Sequence, residues 1–432
     1  TENENSIQIV DGRNSAVLGE NSQWGEWKAQ IAEAGVYQIE LAYYPLPGKS
    51  KDIQLGIMID GVTPFEEAQR LELSRIWVDE TDENGNTIRK DANDNELRPK
   101  QKEQARWNTY TMINGDGYYN EPFGFYFSEG EHTIRLTCSR ESVALSSVTL
   151  KNEKALDSYE VASQQYEKNG YQIVDDYQEI YQAEHAAEKS DSMLYPTSDR
   201  STPATQPSHH SRIRLNTIGA QNWKYTGQWI SWEIEVPKDG LYELSFKARQ
   251  NVLEGLSSYR TLYIDGEIPF AEAENIAFGY DLNWYIKTLG DDQPMKVYLT
   301  AGEPHTIMLK CTPGPIADIL KGVNDSVLDL NTIYRKIIMI TGSSPDMYRS
   351  YYLEDQIPGL MDGFRTIRDR LQELSDQMKQ ITGNNGSQAS VIDQVVFTLE
   401  GLIEKPGDIP SRIDSLKSNI ESLGSLTSVL SQ

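Results

Sequence analysis

One long motif occurs twice in this chain, which constrains its fold more than any other feature. Three elements recur with the same separation of 205 residues: Trp24-x-x-Trp27 as Trp229-x-x-Trp232, Gly35-x-Tyr37 as Gly240-x-Tyr242, and Asp60-Gly61-x-x-Pro64-Phe65 as Asp265-Gly266-x-x-Pro269-Phe270. A fourth element, His132-Thr133-Ile134, recurs 173 residues later at His305, so the first copy carries an insertion of about 32 residues. Two copies of one module are therefore predicted, an arrangement that favours avidity.

Both copies show the pattern of antiparallel β-structure. Apolar and polar residues alternate over short runs, as in residues 36–43 and 124–127, and Gly, Pro and Asp-Gly pairs separate these runs. The predicted fold class is mainly β with an α-helical region, consisting of two jelly-roll β-sandwich modules and an antiparallel helical bundle.

The last quarter of the chain changes to a helical period. Apolar residues are spaced 4-3-4-3 in two runs, which are Leu360, Phe364, Ile367, Leu371, Leu374, Met378 and Ile381, then Ile409, Ile413, Leu416, Ile420 and Leu423. Such heptad seams, separated by Gly- and Pro-containing loops, indicate about four helices in an antiparallel bundle. The apolar stripe contains no His and no inward pair of Glu, which favours a spacing role over catalysis.

These patterns divide the chain into four parts. Residues 1–152 form the first module, with an insertion at about 78–118, and residues 153–175 form a helical linker. Residues 176–315 form the second module, and residues 316–432 form the bundle. The final strand of the first module has no counterpart in the second, so the bundle is either inserted before that strand or replaces it.

Composition limits the partners. The formal net charge is -25, which argues against nucleic acid or an anionic membrane surface, because both require clustered Lys and Arg. No apolar run approaches the roughly 20 residues that span a bilayer. A neutral or cationic partner is expected, and the two cysteines do not decide the compartment.

Aromatic residues point to a carbohydrate ligand. The chain has 24 Tyr and 8 Trp against 9 Phe, and amphipathic rings offer a flat face to a sugar ring and a polar edge to its hydroxyls. The repeated tryptophans are interpreted as scaffold, whereas residues in loops outside the repeat are candidates for the site. The predicted carbohydrate-binding residues are Trp77, Trp107, Tyr119, Trp223, Tyr280, Trp284, Tyr285, Arg249 and Asn251.

An acidic loop at residues 80–91 is a candidate calcium site. Asp82 and Asn84 place oxygen ligands at alternate positions, as in calcium loops. The first position is Glu and the twelfth is Asp, which departs from that pattern. An exposed Asn-Gly turn is the alternative interpretation.

Known catalytic motifs are missing from the sequence. It contains no Gly-x-Ser-x-Gly, no His-Glu-x-x-His and no phosphate-binding Gly loop. His132 and His305 are repeat positions, and a duplicated carboxylate pair such as Glu67 and Glu272 is more readily explained as structural. The chain is therefore predicted not to be an enzyme.

Several segments resemble the extracellular solute-binding proteins of bacterial sugar ABC transporters that have a large non-catalytic front region. The matching stretches are residues 57–68, 195–205, 213–219 and 333–343. Each β module also resembles a carbohydrate-binding module of the galactose-binding-like kind. Gln182-Ala183-Glu184 is similar to the opening of those modules, where the glutamate holds a structural calcium.

The resemblance implies an exported protein on the surface of a Gram-positive cell, associated with sugar ABC transporter components. A lipid anchor on a longer precursor is compatible with it. Such proteins continue into a two-lobed solute-binding domain that is not recognisable here, so an accessory region is expected. Apart from a structural calcium at Glu184, no cofactor is predicted.

The predicted function is therefore non-catalytic binding of oligosaccharide or polysaccharide at the cell surface, accessory to a solute-binding protein. One alternative is a scaffold that positions a solute-binding domain without binding sugar itself. Another is an accessory fragment of a polysaccharide-degrading enzyme.

Overall fold

Short antiparallel strands fill the first three quarters of the chain and helices fill the rest. The structure is a computed structural model and describes residues 7–83, 85–152, 155–346, 348–382 and 386–431. This division confirms the predicted fold class.

The first module is a sandwich of two sheets. One sheet has the order β1-β2-β14-β4-β11, with β12 also paired to β4, and the other has the order β3-β13-β5-β6. Their inner faces enclose one apolar core, which includes Leu41, Leu55 and Leu136. In the described residues up to 152, the strands are β1 (Ile7–Val10), β2 (Arg13–Leu18), β3 (Gln23–Ile31), β4 (Gly35–Pro45), β5 (Ile53–Ile59), β6 (Leu71–Leu73), β7 (Trp77–Asp79), β8 (Arg89–Lys90), β9 (Glu96–Leu97), β10 (Gln101–Glu103), β11 (Asn108–Thr111), β12 (Phe125–Phe127), β13 (Gly130–Arg140) and β14 (Val143–Lys151).

Strand β4 shows how the alternating sequence sets the two faces of the first sheet. Ile39, Leu41 and Tyr43 are buried in the core, whereas Glu40 and Tyr44 are only half-buried. Because successive side chains of a strand point to opposite faces, Glu40 and Tyr44 lie on the side away from the core. We call this side the outer face.

The second module repeats the arrangement. Its sheet β18-β25-β21-β22 corresponds to β3-β13-β5-β6, and the pairs β19-β24 and β20-β23 form the opposing layer. The strands are β15 (Glu188–Lys189), β16 (Pro196–Thr197), β17 (Thr217–Ile218), β18 (Trp229–Ile234), β19 (Gly240–Glu243), β20 (Ser245–Ala248), β21 (Ser258–Ile264), β22 (Ile276–Phe278), β23 (Tyr285–Thr288), β24 (Lys296–Leu299) and β25 (His305–Thr312).

The insertion of the first module joins the sheet of the second. Strands β10 and β7 continue through β15 into β18, which makes one sheet of seven strands from both modules. Trp77 pairs with Glu103 on one side and with Lys189 on the other. Residues 78–118 are predicted as an insertion of the first module alone, and a two-residue strand such as β15 has no periodicity that would reveal this pairing. We call the β7–β15 contact the seam.

A buried ion pair crosses the seam. The Lys189 ammonium, whose side chain is 0% exposed, contacts the carboxylate of Asp79, which is 5% exposed. Burial lowers the pKa of Lys189, and the Asp79 charge opposes that shift. A second buried cation, Arg75, contacts Glu103 of β10 and lies 3.0 Å from Glu141 of the first module. Lys189 therefore has its anionic partner only when the insertion is folded in place, whereas Arg75 also has Glu141 of the first module.

Residues before the second module occupy the edge where the first module has its last strand. On the side of β19 opposite β24, Ile173 forms a parallel bridge with Leu241. The Leu241 amide donates to the Gln172 carbonyl at 2.8 Å, and the Val174 amide donates to the Leu241 carbonyl at 3.0 Å. In residues 313–346, 348–382 and 386–431 no strand follows β25.

The repeated histidines hold the repeated Asp-Gly turns. His132 Nδ1 lies 2.6 Å from Asp60 Oδ2, and His305 Nδ1 lies 2.6 Å from Asp265 Oδ2. The hydrogen bond to Asp60 raises the pKa of His132. These pairs give the histidine and the aspartate the same structural contact in both copies of the module.

Within the described residues, four long helices form the bundle, in which α2 and α5 each pack against α4 and α6. The residues of both predicted heptad runs are buried in its core, except Ile381, which is partly buried. The helical structure is interrupted at Pro358, between α3 and α4. The helices are α1 (Tyr159–Lys168) in the linker, then α2 (Ala317–Thr341), α3 (Leu353–Gln356), α4 (Leu360–Thr382), α5 (Ser387–Glu404) and α6 (Ile413–Leu430). Of the helices in the described ranges, none is long and apolar enough to cross a membrane.

The bundle packs on both modules. Leu256 of the second module and Tyr118 of the insertion belong to the apolar cluster of the bundle. Asn120 also donates to the Gly314 carbonyl at 2.7 Å. The three parts therefore meet at one junction.

The seam generates a stability prediction. Lys189→Ala should destabilise the protein by about 3 kcal/mol, because it leaves the Asp79 carboxylate buried without a partner. The double variant Lys189→Met with Asp79→Leu should regain most of that loss. Differential scanning calorimetry measures the stability of the single and the double variant.

Lys28→Ala is the matched control, because the Lys28–Glu131 pair is 69% and 59% exposed and should contribute less than about 1 kcal/mol. Equal transition temperatures for Lys189→Ala and Lys28→Ala would contradict the importance of the seam.

Candidate functional site

Trp107 is the centre of a polar and aromatic patch on the outer face of the first module. It lies one step beyond the Asn108–Tyr43 pair of β11 and β4, which places it beside Tyr44. The two ring centroids are 5.5 Å apart and tilted by 60°. The guanidinium of Arg13, an exposed residue of β2, lies 5.0 Å from the Trp107 ring centroid.

Hydroxyl groups lie beside this patch on β11 and β14, the two strands that flank β4. Thr109 and Ser147 both pair with Ala42, and Thr111 and Thr149 both pair with Glu40. Paired residues of antiparallel strands lie on the same face of a sheet. Thr109, Ser147 and Thr149 are exposed. We call Arg13, Tyr44, Trp107 and these two rows the Trp107 face.

The second module has an equivalent position at Trp284. Trp284 lies one step beyond the Tyr285–Ala248 pair of β23 and β20, which places it beside Arg249. Arg249 and Tyr44 are separated by 205 residues, the offset of the repeat. Trp284 and Trp107 therefore occupy corresponding places in the two modules, a relation that the insertion hides in the sequence.

The chain itself occupies the polar side of Trp284. The Trp284 indole N–H donates to Asp199 Oδ2 at 2.7 Å, and Arg249 Nη2 lies 3.1 Å from the same oxygen. Arg249 also donates to Ser201 Oγ at 2.8 Å, and Lys247 contacts the Ala204 carbonyl. The loop around residues 199–204 thus covers one end of this outer face.

The other predicted residues of the second module do not share one surface. Ala248 packs against the core, so its partner Tyr285 lies on the inner side, where its hydroxyl donates to the Gly279 carbonyl at 2.9 Å. Tyr280 is half-buried in a bridge with Gln250, and Asn251 is exposed in the adjoining loop.

Three of the predicted aromatic residues pack in the seam or against the core of a module. Trp77 is half-buried in the seam. Tyr119 packs against the core of the first module, with Lys321 of the bundle 5.8 Å from its ring centroid. Trp223 packs against the core of the second module, and its N–H donates to the Gln228 carbonyl at 3.3 Å.

The acidic loop forms local turns. Asp82 Oδ1 accepts the Asn86 amide at 2.8 Å, and the Gly85 amide donates to the Asp82 carbonyl at 3.0 Å. Asn84 lies outside the described residues. These contacts agree with the turn interpretation of Asp82.

Glu184 is the remaining candidate for calcium. Its side chain is 2% exposed, and its Oε1 atom has no hydrogen-bond partner. Burial raises the pKa of Glu184 to about 7, with a smaller contribution from the Glu96 carboxylate. Calcium takes 6–8 oxygen ligands, and the described residues contain no group of three His, Cys, Asp or Glu side chains that could hold a metal ion. A cation here would need further oxygen ligands from carbonyl groups or water.

The helical region matches a known protein family. Residues 318–432 match the family described as bacterial solute-binding protein, 4-helix bundle domain. This match covers just over a quarter of the chain and confirms the resemblance to solute-binding proteins. No match to the chain was found among curated proteins.

Solved structures give distant likenesses. A cycloisomaltooligosaccharide glucanotransferase from Paenibacillus sp. is 22% identical over 37% of this chain and 21% of its own, with a TM-score of 0.24. The tandem CBM22-1-CBM22-2 domain of Xyn10C from Paenibacillus barcinonensis is 11% identical over 70% of this chain and 84% of its own, with a TM-score of 0.18. A GH26-CBM35 mannanase from Podospora anserina is 14% identical over 56% of this chain and 63% of its own, with a TM-score of 0.20.

The chain spans about a fifth of the glucanotransferase, and about a tenth of a Paenibacillus barengoltzii β-glucosidase that also matches. With TM-scores this low, none of these likenesses carries an argument about the activity of this chain.

The raised pKa of Glu184 predicts a pH dependence. Because its folded pKa lies above the ordinary value of 4.5, the protein without calcium should lose stability as the pH rises from about 4.5 to about 7. Glu184→Gln should show a smaller loss. Thermal unfolding in EDTA between pH 4.5 and pH 8 measures this loss of stability. Identical pH profiles for the parent and Glu184→Gln would contradict the raised pKa.

Calcium added at pH 8 then tests the cation. A rise in the unfolding temperature of the parent that Glu184→Gln lacks would assign calcium to this carboxylate. A rise of equal size in both proteins would place calcium elsewhere.

Proposed function

We propose that this chain binds carbohydrate without catalysis, at the Trp107 face of the first module. The observation that carries the proposal is the combination of a paired Trp107 and Tyr44, an exposed cation and two rows of hydroxyl groups on one sheet face. Aromatic rings pack against the apolar side of sugars, and hydroxyl groups exchange hydrogen bonds with theirs.

We also propose that the protein acts outside the cell, as an accessory to the solute-binding component of a sugar ABC transporter. The bundle supports this role, because residues 318–432 match the 4-helix bundle domain of bacterial solute-binding proteins. The bundle packs against the second module and the insertion. It would therefore hold the Trp107 face at a fixed distance from the solute-binding component.

Scaffolding without sugar binding is the second candidate. The junction at which Asn120 of the first module donates to the Gly314 carbonyl, just before the bundle, favours a rigid spacer. The loop over Trp284 also favours a scaffold, because it covers the face of the second module that corresponds to the Trp107 face. These two observations concern the second module and the junction, and they leave the Trp107 face available for a ligand.

Calorimetric titration with a broad panel of neutral and acidic oligosaccharides tests sugar binding. Trp107→Ala should weaken the best ligand by roughly fivefold or more, because truncation of a central aromatic contact costs more than about 1 kcal/mol. Tyr44→Ala should have a smaller effect in the same direction.

Trp24→Ala is the matched control. Trp24 lies on the other sheet, with the Arg135 guanidinium 4.1 Å from its ring centroid, and its substitution should leave the affinity unchanged. A folded parent protein that binds no member of the panel would favour the scaffold.

A further inference from the structure

The second module contains an internal carboxylate at the position where the first module has an open face. Asp199 Oδ2 accepts the Trp284 indole N–H at 2.7 Å and pairs with Arg249 at 3.1 Å. The Arg249 guanidinium also lies 5.3 Å from the Trp284 ring centroid. A tryptophan with an adjacent arginine thus binds a carboxylate in this chain.

Asp199 is held firmly in this contact. Its amide donates to Asn216 Oδ1 at 2.8 Å, and its Oδ1 accepts the Ser201 amide at 2.7 Å. Although burial opposes the shift, hydrogen bonds from Ser201 and Trp284 and the Arg249 charge lower the pKa of Asp199. The carboxylate is therefore charged at neutral pH.

The first module has the same pair of groups with its cation free. Arg13 lies 5.0 Å from the Trp107 ring centroid, close to the 5.3 Å of Arg249 and Trp284. The cation comes from a different strand, because Tyr44 stands where the second module has Arg249. In the part of the chain that the structure describes, no carboxylate forms an ion pair with Arg13.

The indole N–H of Trp107 is only loosely engaged. It donates to the Asp11 carbonyl at 3.3 Å, which is longer than the usual range for N–H donors. A ligand carboxylate can compete for this donor while it pairs with Arg13. A charge-assisted hydrogen bond is the stronger of the two.

We propose that the Trp107 face recognises a sugar that carries a carboxylate, a uronic acid residue, with Arg13 as the group that binds the carboxylate. This inference rests on the proposed carbohydrate binding and names its ligand class. Trp107 and Tyr44 contact the sugar ring, and the Arg13 guanidinium takes the place that Arg249 has against Asp199.

The net charge of -25 does not prevent such binding. Screening reduces interactions between charges farther apart than about 8 Å at physiological ionic strength, whereas a direct contact with Arg13 persists. The overall charge repels long polyuronates at low salt, so short oligouronides are the suitable probes.

Calorimetry with three short oligouronides, of galacturonate, glucuronate and mannuronate, tests the proposal at 0.15 M salt, each beside its methyl ester. The ester keeps the sugar and removes the charge. At least one acid form should bind about tenfold more tightly than its ester. Arg13→Gln should remove that difference, because it weakens binding of the acid form far more than binding of the ester.

Arg89→Gln is the control, because Arg89 is also an exposed arginine, in a hairpin of the insertion, and it should preserve the preference. Binding of neutral glycans, with no oligouronide preferred over its ester, would overturn the carboxylate assignment and leave carbohydrate binding intact. Silence toward every glycan, neutral and acidic, from a folded protein would overturn both.

Discussion

The buried contact between Lys189 and Asp79 is the interaction on which the arrangement of this protein depends. An isolated ammonium group in a protein interior is strongly unfavourable, and here its partner comes from the insertion of the other module. The same insertion carries Trp107, four residues after the end of β10, and Arg106 beside it contacts Glu188 of β15. The seam therefore joins the modules and positions the candidate site.

The sequence predicts the elements that repeat with a period. The two copies, the alternating strands and the heptad pattern of helix α4 all appear in the structure, because each reflects local geometry. The seam between the modules could not be predicted in this way. It depends on strands of two or three residues and on a pair of charges 110 positions apart in the chain, and neither produces a local pattern.

The candidate site shows the same limit. Trp107 and Trp284 were recognised separately, from residue type and loop position, but their equivalence appears only when β11 and β23 are placed beside β4 and β20. Tyr44 and Arg13 were missed, although the 205-residue offset between Tyr44 and Arg249 was a usable signal. The contact of Asp199 with Trp284 spans 85 positions, and no spacing rule predicts it. Duplication here therefore need not mean two equal sites.

A crystal structure of the chain with a bound oligosaccharide tests the account most directly. The account predicts that the sugar lies on the outer face of the first module, against Trp107 and Tyr44, with the loop of Asp199 still over Trp284. A sugar bound at Trp284 with that loop displaced, or one bound on the opposite sheet near Trp24, would contradict it.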